Sequence, residues 1–307
     1  MSIADRLRFD PAKGTVIRRP PGAGYGHWVG GHKVSHDGDV FALFYRERKP
    51  LEVGRGGRCA VAISADGLAF DDVWSASKEE LNASSIEVGH PIRHDDGECR
   101  LYISYEIAGT ATWRIDVLRG PTFDALDTQG RRTVLNPGDY RLPWIKDPVV
   151  YRRDDGYRLF AAVPPRAEPT DSGPVRIAGA LDATVVADSD DGLVFPQIEY
   201  VFEPPRGTSW HGNRARINSV FEVNGQWVAT YDGGRTFYDN YEEWAGIAVS
   251  DDGVHFTRVA MDDPWVTSPH GSVRYVYGLV HGGAVYFYFE YTTEDGSHEL
   301  RMSRVAL

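Results

Sequence analysis

Apolar and polar positions recur along this chain with a long period. Five segments each contain two short apolar runs around a tight turn: Lys33–Tyr45, Pro91–Tyr105, Pro148–Ala162, Asn218–Tyr231 and Tyr277–Tyr291. Their turns contain Asp37-Gly38, Asp96-Gly97, Asp155-Gly156, Asn224-Gly225 and His281-Gly282. Asp-Gly and Asn-Gly turns indicate β-hairpins, because both residues tolerate positive φ. The turn glycines lie 59, 59, 69 and 57 residues apart, so the chain is expected to repeat a hairpin-based unit five times.

A second motif follows the hairpins at a similar offset. It reads SADGLAF at Ser64–Phe70, SDDGLVF at Ser189–Phe195 and SDDGVHF at Ser250–Phe256. Its glycines follow the hairpin glycines by 29, 36 and 28 residues, which places the motif between a third and a fourth strand. The second repeat has only a weak version, at Leu118–Phe123, and the fifth repeat ends before reaching one.

Five units of about four strands predict an all-β fold, a five-bladed β-propeller that occupies residues 1–307 as one domain. The last unit stops after its third strand, His298–Val305. An open strand edge invites aggregation, so we expect Thr15–Arg18 to pair there and close the ring. A β-sandwich is the structural alternative, but it does not explain the recurring pair of motifs.

Composition narrows the choice of partners. The net charge of -11 argues against nucleic-acid binding, which needs clustered Lys and Arg. No stretch approaches the roughly 20 apolar residues of a membrane span, and Met1–Asp10 lacks the apolar core of a secretory signal. We therefore expect a cytoplasmic protein without a membrane partner. The two cysteines, Cys59 and Cys99, form no CxxC pair and are interpreted as buried thiols.

Propeller geometry predicts which residues meet at a site. Antiparallel strands alternate in direction, so the start of each first strand and the end of each second strand share one face. This face is predicted to hold His27, Trp28, Arg46, Glu47, Arg48, Glu87, His90, Glu106, Lys146, Asp147, Arg214, Arg216, Asp232, Glu242, Glu243, His270, Arg274, Tyr275 and Glu290. Carboxylates, arginines and aromatic residues around one funnel are typical of a sugar-cleaving site, where two carboxyl groups act as acid and as base or nucleophile.

The hairpins and the S-x-D-G-x-x-F turns together resemble the five-bladed glycoside hydrolase superfamily of families 32, 43, 62, 68, 117 and 130. Lys146–Val150 is similar to the Asp-Pro start of an inner strand in those families. Further segments are similar to a bacterial branch of glycosyl hydrolases without an established substrate: Tyr25–Val34, Trp113–Asp116, Asn240–Glu243 and Ser268–Tyr275. The resemblance implies an enzyme that cleaves a glycosidic bond of a small-molecule or oligosaccharide substrate.

The resemblance assigns roles to the carboxylates. Asp147 is expected to act as base or pKa modulator, and Glu243 or Glu242 as acid, with Glu87 as a third carboxylate. Side chains alternate along an extended segment, so only one of Glu242 and Glu243 is expected to face the funnel, and we favour Glu243. The predicted substrate-binding residues are His27, Trp28, Arg46, Arg48, His90, Arg214, Arg216, Asp232, His270, Arg274 and Tyr275.

Two departures from the family pattern add alternatives to the predicted function. Family 43 enzymes place an Asp at the start of the first inner strand, but here His27–His32 contains no carboxylate. Arginines are also unusually frequent on the face, and Arg binds carboxylate or phosphate through two hydrogen bonds. An anionic sugar, or phosphate as the attacking group, would explain them. The alternative is a propeller that binds a glycan or metabolite without cleaving it, or that performs other acid–base chemistry.

No cofactor is predicted. His27, His90, His211 and His270 lack the close spacing of zinc ligands. Calcium in the central channel is the metal alternative, because hard cations take carboxylate and carbonyl oxygens.

Overall fold

A computed structural model describes residues 2–94, 96–166, 182–236, 241–259 and 262–307. Asn240, which begins one of the segments quoted above, lies outside these ranges. The protein is all-β, as predicted, and the described ranges contain two four-residue α-helices, α1 (Ile3–Arg6) and α2 (Leu51–Gly54). Short 3-10 turns occupy Pro11–Lys13, Phe123–Ala125 and Pro137–Tyr140. None of the helices in the described ranges has the length and apolar character needed to cross a membrane.

The described strands form five antiparallel groups of four. Group 1 contains β2 (Trp28–His36), β3 (Phe41–Arg48), β4 (Arg58–Ser64) and β5 (Asp71–Ser77). Group 2 contains β6 (Ala83–Arg93), β7 (Cys99–Ile107), β8 (Trp113–Gly120) and β9 (Arg132–Leu135). Group 3 contains β10 (Lys146–Arg153), β11 (Gly156–Val163), β12 (Ala183–Ser189) and β13 (Glu199–Phe202). Group 4 contains β14 (Arg216–Val223), β15 (Gln226–Gly233), β16 (Trp244–Ser250) and β17 (Thr257–Arg258). Group 5 contains β18 (Val273–His281), β19 (Ala284–Thr292), β20 (His298–Ala306) and the N-terminal β1 (Thr15–Arg18).

The N-terminal strand pairs where the sequence predicts. β1 runs antiparallel to β20, with Thr15 opposite Met302. Ile17 is buried in a cluster that includes Tyr288, Leu300 and Met302. The last group therefore obtains its fourth strand from the opposite end of the chain.

Both predicted turn motifs have the expected positions and a clear physical basis. The five hairpins connect the first and second strands of each group, and their turn glycines have positive φ. The S-x-D-G-x-x-F segments connect the third and fourth strands of groups 1, 3 and 4. In the first of them, Ser64 Oγ accepts the Gly67 N–H at 2.9 Å, and Asp66 Oδ1 accepts two further backbone N–H groups. The motif thus satisfies backbone donors that would otherwise lack partners in a tight turn.

Neighbouring groups pack through apolar side chains. One cluster contains Phe44 and Cys59 of group 1 with Ile86, Cys99 and Leu101 of group 2. Both cysteines are buried and free, as predicted, and burial raises the pKa of Cys59 to about 12. The first strands contact one another in the order β2, β6, β10, β14, β18 and again β2. We call the space between them the central channel.

Every first strand has a bulge or register shift at its start or near its middle. The shifts lie between Gly30 and Lys33, Ile86 and Gly89, Lys146 and Val149, Ile217 and Ser219, and Arg274 and Tyr277. Three of them contain a left-handed residue: Gly31 (φ 58°), Asp147 (φ 57°) and Tyr275 (φ 52°). A left-handed non-glycine residue costs about 1–3 kcal/mol and is concentrated at functional sites. Each bulge or register shift changes the direction of the neighbouring side chains on its strand.

The first strand of group 1 is packed closely against group 5 at this level. A Cβ atom on Gly30 would overlap the Glu290 carboxylate, and the Gly31 N–H donates to Glu290 Oε2 at 3.2 Å. A carboxylate from β19 therefore occupies the space that a side chain at position 30 would need.

Ile17→Ala is expected to lower the free energy of unfolding by about 2 kcal/mol or more, because it leaves a cavity beneath the N-terminal strand. Urea unfolding measures this loss. Thr15→Ala, an exposed change on the same strand, is the control and should stay within about 0.5 kcal/mol of the parent protein. An Ile17→Ala protein as stable as the Thr15→Ala protein would show that packing of β1 contributes little to stability.

Gly30→Ala is expected to lower the free energy of unfolding by about 1–3 kcal/mol, because the new methyl group must displace the Glu290 carboxylate. The matched control is Gly57→Ala in the same group, since a Cβ there meets no atom within 4 Å. Thermal or urea unfolding of both variants checks the contrast. A Gly30→Ala protein as stable as Gly57→Ala would contradict the described packing.

Candidate active site

One end of the central channel gathers most of the predicted site residues. The starts of the first strands and the ends of the second strands meet there, as antiparallel pairing requires. The side chains brought together are Trp28, Arg46, Arg48, Glu87, Asp147, Arg214, Arg216, Asp232, Glu243, Arg274 and Tyr275, and all are buried. Charged groups removed from water need partners, so their pairing determines what this end of the channel can do.

Arg216, at the start of β14, lies among carboxylates from two groups. Its guanidinium donates to Asp147 Oδ2 at 3.1 Å, to Asp232 Oδ2 at 2.6 Å and to Glu243 Oε1 at 3.4 Å. The same guanidinium lies 4.4 Å from the centre of the Tyr275 ring. Burial raises the pKa of Asp232, although the charge of Arg216 opposes the rise. Asp147 and Glu243 thus face one another across a single arginine.

Glu243 is held ionised by arginines. It pairs with Arg214, and its Oε2 accepts a hydrogen bond from Arg274 at 2.7 Å. Burial alone would raise its pKa, but the charges of Arg214, Arg274 and Arg216 outweigh burial and hold the pKa of Glu243 well below its usual range. An acid that is already ionised cannot donate a proton at neutral pH, so this environment does not suit the expected acid role of Glu243.

Glu242 has a different environment. Its side chain is 33% exposed, and Oε1 lies 4.0 Å from His298 Nε2. Within the described ranges, no arginine forms an ion pair with Glu242. The alternation predicted for this segment is therefore present: Glu243 is the buried member of the pair, and Glu242 is the accessible one.

A second carboxylate centre lies beside Arg274. Glu290 Oε1 accepts Arg274 Nη2 at 2.6 Å and lies 3.0 Å from His298 Nδ1. Burial would raise the pKa of Glu290, but Arg274 and His298 lower it to about 2. His298 stacks on Trp28 with ring centres 4.9 Å apart. Glu290 and His298 hold Arg274 in place. The sequence analysis placed Glu290 on this face without assigning it a role, and it did not select His298.

Glu87 is shared by three arginines. Arg48 Nη2 lies 2.7 Å, Arg46 Nη1 3.3 Å and Arg55 Nη2 3.5 Å from its carboxylate oxygens. Burial would raise the pKa of Glu87, but the charges of Arg46, Lys146 and Arg55 lower it. The negatively charged Glu87 carboxylate therefore holds these three arginines in place.

A small cavity of about 160 Å³ lies beside Arg48 and Arg55, two of the arginines that pair with Glu87. Its lining includes Tyr25, Trp28, Arg48, Arg55 and Tyr241, and we call it the mouth pocket. Trp28 is only 5% exposed, because Tyr25, Tyr241 and His298 pack around its indole. Trp28 therefore forms a wall of the pocket rather than a broad open stacking surface.

Two predicted residues, His90 and His270, do not join this cluster of buried side chains. His90 lines a different cavity, of about 550 Å³, at the hairpin end of the channel. Its Nδ1 accepts the Val150 N–H at 2.8 Å, and burial lowers its pKa to about 3. A strand advances about 3.3 Å per residue, so three residues separate His90 from Glu87 by about 10 Å along the axis. His270 is exposed, and its backbone N–H donates to Ser268 Oγ.

His27 lies at the edge of the cluster and is half-buried. Its carbonyl oxygen accepts the His298 N–H at 3.1 Å, so its backbone links groups 1 and 5. Its imidazole packs over Gly22, where a Cβ atom would collide with the ring. Among the described residues, no group of His, Cys, Asp and Glu side chains is arranged to hold a metal ion.

Other residues of the site escaped the sequence analysis. Asp182 pairs with Arg214 at 2.7 Å, and Arg55 reaches Glu87 from the loop after β3. Lys33 is buried in the channel with its Nζ 5.4 Å from the Tyr277 ring centre. Burial lowers the pKa of Lys33 to about 7, although Asp147 and Asp232 oppose the shift. The signal available for Lys33 was its inward position on a first strand.

No family model and no curated protein matches this sequence. Solved structures match it over nearly its whole length. A glycosyl hydrolase from Bacteroides ovatus is 16% identical, with a TM-score of 0.65 over 96% of this chain and 93% of that chain. A thermostable family-43 glycoside hydrolase is 11% identical, with a TM-score of 0.64 over 94% and 92% of the two chains. The GH43_1 enzyme from Xanthomonas citri, complexed with xylose, is 11% identical, with a TM-score of 0.62 over 98% and 91%.

These identities are low, so the likeness concerns the fold. The predicted resemblance is confirmed at that level: this chain is similar in structure to glycoside hydrolases of family 43 and related families, which are five-bladed β-propellers.

Proposed function

We propose that this chain is a glycosidase-type enzyme that binds a sugar at the charged end of its central channel. In this proposal the five strand groups are the blades of a single five-bladed propeller, and β1 closes its ring. The observation that carries the proposal is the convergence of Asp147 and Glu243, from different groups, on Arg216 in a fold shared with glycoside hydrolases. Carboxylates facing one another across a funnel are what glycosidic cleavage requires.

Asp147 is the proposed base. Its Oδ1 is buried and, among the described residues, has no hydrogen-bond partner, so it retains an acceptor for a water or a substrate hydroxyl. Its backbone N–H donates to Ser104 Oγ at 3.0 Å, which fixes the left-handed residue in place. A base needs a free lone pair and a fixed orientation, and Asp147 has both.

Glu242 is the proposed acid in place of Glu243. It is the accessible carboxylate of the pair, and it lies beside His298 rather than against an arginine. Glu243 would remain ionised and stabilise positive charge that develops on the sugar ring in the transition state. Glu87 would hold arginines that orient an anionic group of the substrate.

A second candidate function is binding without cleavage, or another acid–base reaction at the same site. Two observations favour it. Glu87, Asp147, Asp232, Glu243 and Glu290 all have arginine partners, and position 30 on the first strand has no side chain. A site with paired carboxylates binds and orients ligands well but has fewer groups available for proton transfer.

Asp147→Asn and Glu242→Gln are each expected to lower kcat/KM by about 100-fold or more, because each removes one member of an acid–base pair. A screen of aryl glycosides, with and without phosphate, would first identify a cleaved substrate. Asp155→Asn is the matched control: Asp155 is a turn residue with a side chain 71% exposed, and its change should leave kcat/KM unaltered.

The two candidate functions give different results in this experiment. If Asp147→Asn and Glu242→Gln turn over an identified substrate as fast as the parent protein, the assigned roles are wrong. Calorimetric binding of a glycan without release of the aryl group or of sugar would favour the second candidate.

A further inference from the structure

The arginines at the charged end of the channel fall into two unequal sets. Arg214, Arg216 and Arg274 are surrounded by several carboxylates. Those carboxylates are Asp147, Asp182, Asp232, Glu243 and Glu290. On this side, negative charge exceeds the charge of the arginines.

The other set has the opposite balance. Arg46, Arg48 and Arg55 converge on the single carboxylate of Glu87. In the described part of the chain, no second carboxylate forms an ion pair with any of the three. By ion pairs, this set therefore has two more positive charges than carboxylates. Buried or half-buried charges in excess of their partners are costly, so this side is built to receive negative charge.

The mouth pocket lies against this cationic set. Arg48 and Arg55 line it, and their guanidinium carbons lie 5.7 Å and 5.9 Å from the centre of the Tyr241 ring. The remaining charged residues of the lining, Lys49 and Glu52, cancel one another. The pocket therefore joins two guanidinium groups to an aromatic wall.

Three residues that line the pocket also carry donors without partners. The Nε atoms of Arg48 and Arg55 and the Nε1 atom of Trp28 are buried, and within the described ranges they have no hydrogen-bond partner. Arg48 is only 4% exposed and is fixed by Glu87 at 2.7 Å. A fixed guanidinium next to a cavity is prepared to bind an oxyanion with little loss of side-chain entropy.

The size of the pocket limits what enters it. A volume of about 160 Å³ is close to that of cavities that accept one six-membered ring. Trp28, Pro50 and the Tyr241 and Tyr25 rings supply apolar walls for such a ring. The occupant that fits is a single ring that carries a carboxylate or phosphate, or that enters together with free phosphate.

We propose that the mouth pocket is an anion site in which Arg48 and Arg55 bind the carboxylate of a uronic acid unit or the phosphate of a sugar phosphate or of an attacking phosphate ion. This inference deepens the proposed function by naming the substrate class and the residues that recognise it. It concerns equilibrium binding, so it stands or fails separately from cleavage by Asp147 and Glu242.

Isothermal titration calorimetry of the whole chain at low ionic strength tests the proposal with three probes: inorganic phosphate, D-glucuronate and the neutral D-glucose. At least one anion should bind 10-fold or more tightly than glucose, and its affinity should fall as salt is added. Binding of phosphate alone identifies a phosphate substrate or co-substrate, and binding of glucuronate identifies a uronate. The proposal is overturned if neither anion binds more tightly than glucose.

Substitutions of single arginines test whether the anion binds in the mouth pocket. Arg48→Gln and Arg55→Gln should each weaken anion binding about 10-fold or more. Arg58→Gln, a change of equal charge on an arginine that pairs with Glu47 and Asp72 away from the pocket, should leave it unchanged. Arg55 is 29% exposed, so its variant keeps the test valid if loss of the buried Arg48 impairs folding. Equal affinity in Arg55→Gln and Arg58→Gln would contradict the assignment, whether or not the protein cleaves any glycoside.

Discussion

Burial of charge at one end of the central channel is the constraint on which the rest of this structure depends. Carboxylates and arginines lie there out of contact with water, and each would be costly without a partner. The partners come from different strand groups: Asp147 of group 3 pairs with Arg216 of group 4, and Glu243 of group 4 pairs with Arg274 of group 5. These ion pairs form only when neighbouring groups are correctly placed relative to one another. Once formed, they hold the groups in that placement.

The bulges in the first strands make this arrangement possible. A regular strand alternates its side chains between two faces, but the left-handed Asp147 and Tyr275 depart from that alternation. The Tyr275 N–H consequently donates to Asp232, and its ring lies against Arg216. Backbone strain at these positions is offset by contacts that occur only when all the groups are in place.

Much of the fold could be predicted because its signals are local. Turn glycines, Asp-Gly pairs and the S-x-D-G-x-x-F segments each act over a few residues, and all of them lie where predicted. The end of the channel at which Asp147, Arg216 and Arg274 meet also follows from strand direction. The alternation of side chains indicates which face of a strand a residue lies on, but it does not indicate the depth along the strand. His90 therefore lies nearer the hairpin end of the channel than the sequence analysis expected. Arg55 and Tyr241 were missed because loops carry no periodicity.

The sequence by itself determined the strand pattern, the turns and the residue types at the charged end, because these depend on local backbone preferences and on alternation. Only the tertiary structure decided which charges are matched. It placed Glu243 against arginines and left Glu242 accessible, and it gave three arginines to Glu87. The physical reason is that protonation and affinity depend on charges a few ångströms away, and here those charges come from residues far apart in the chain.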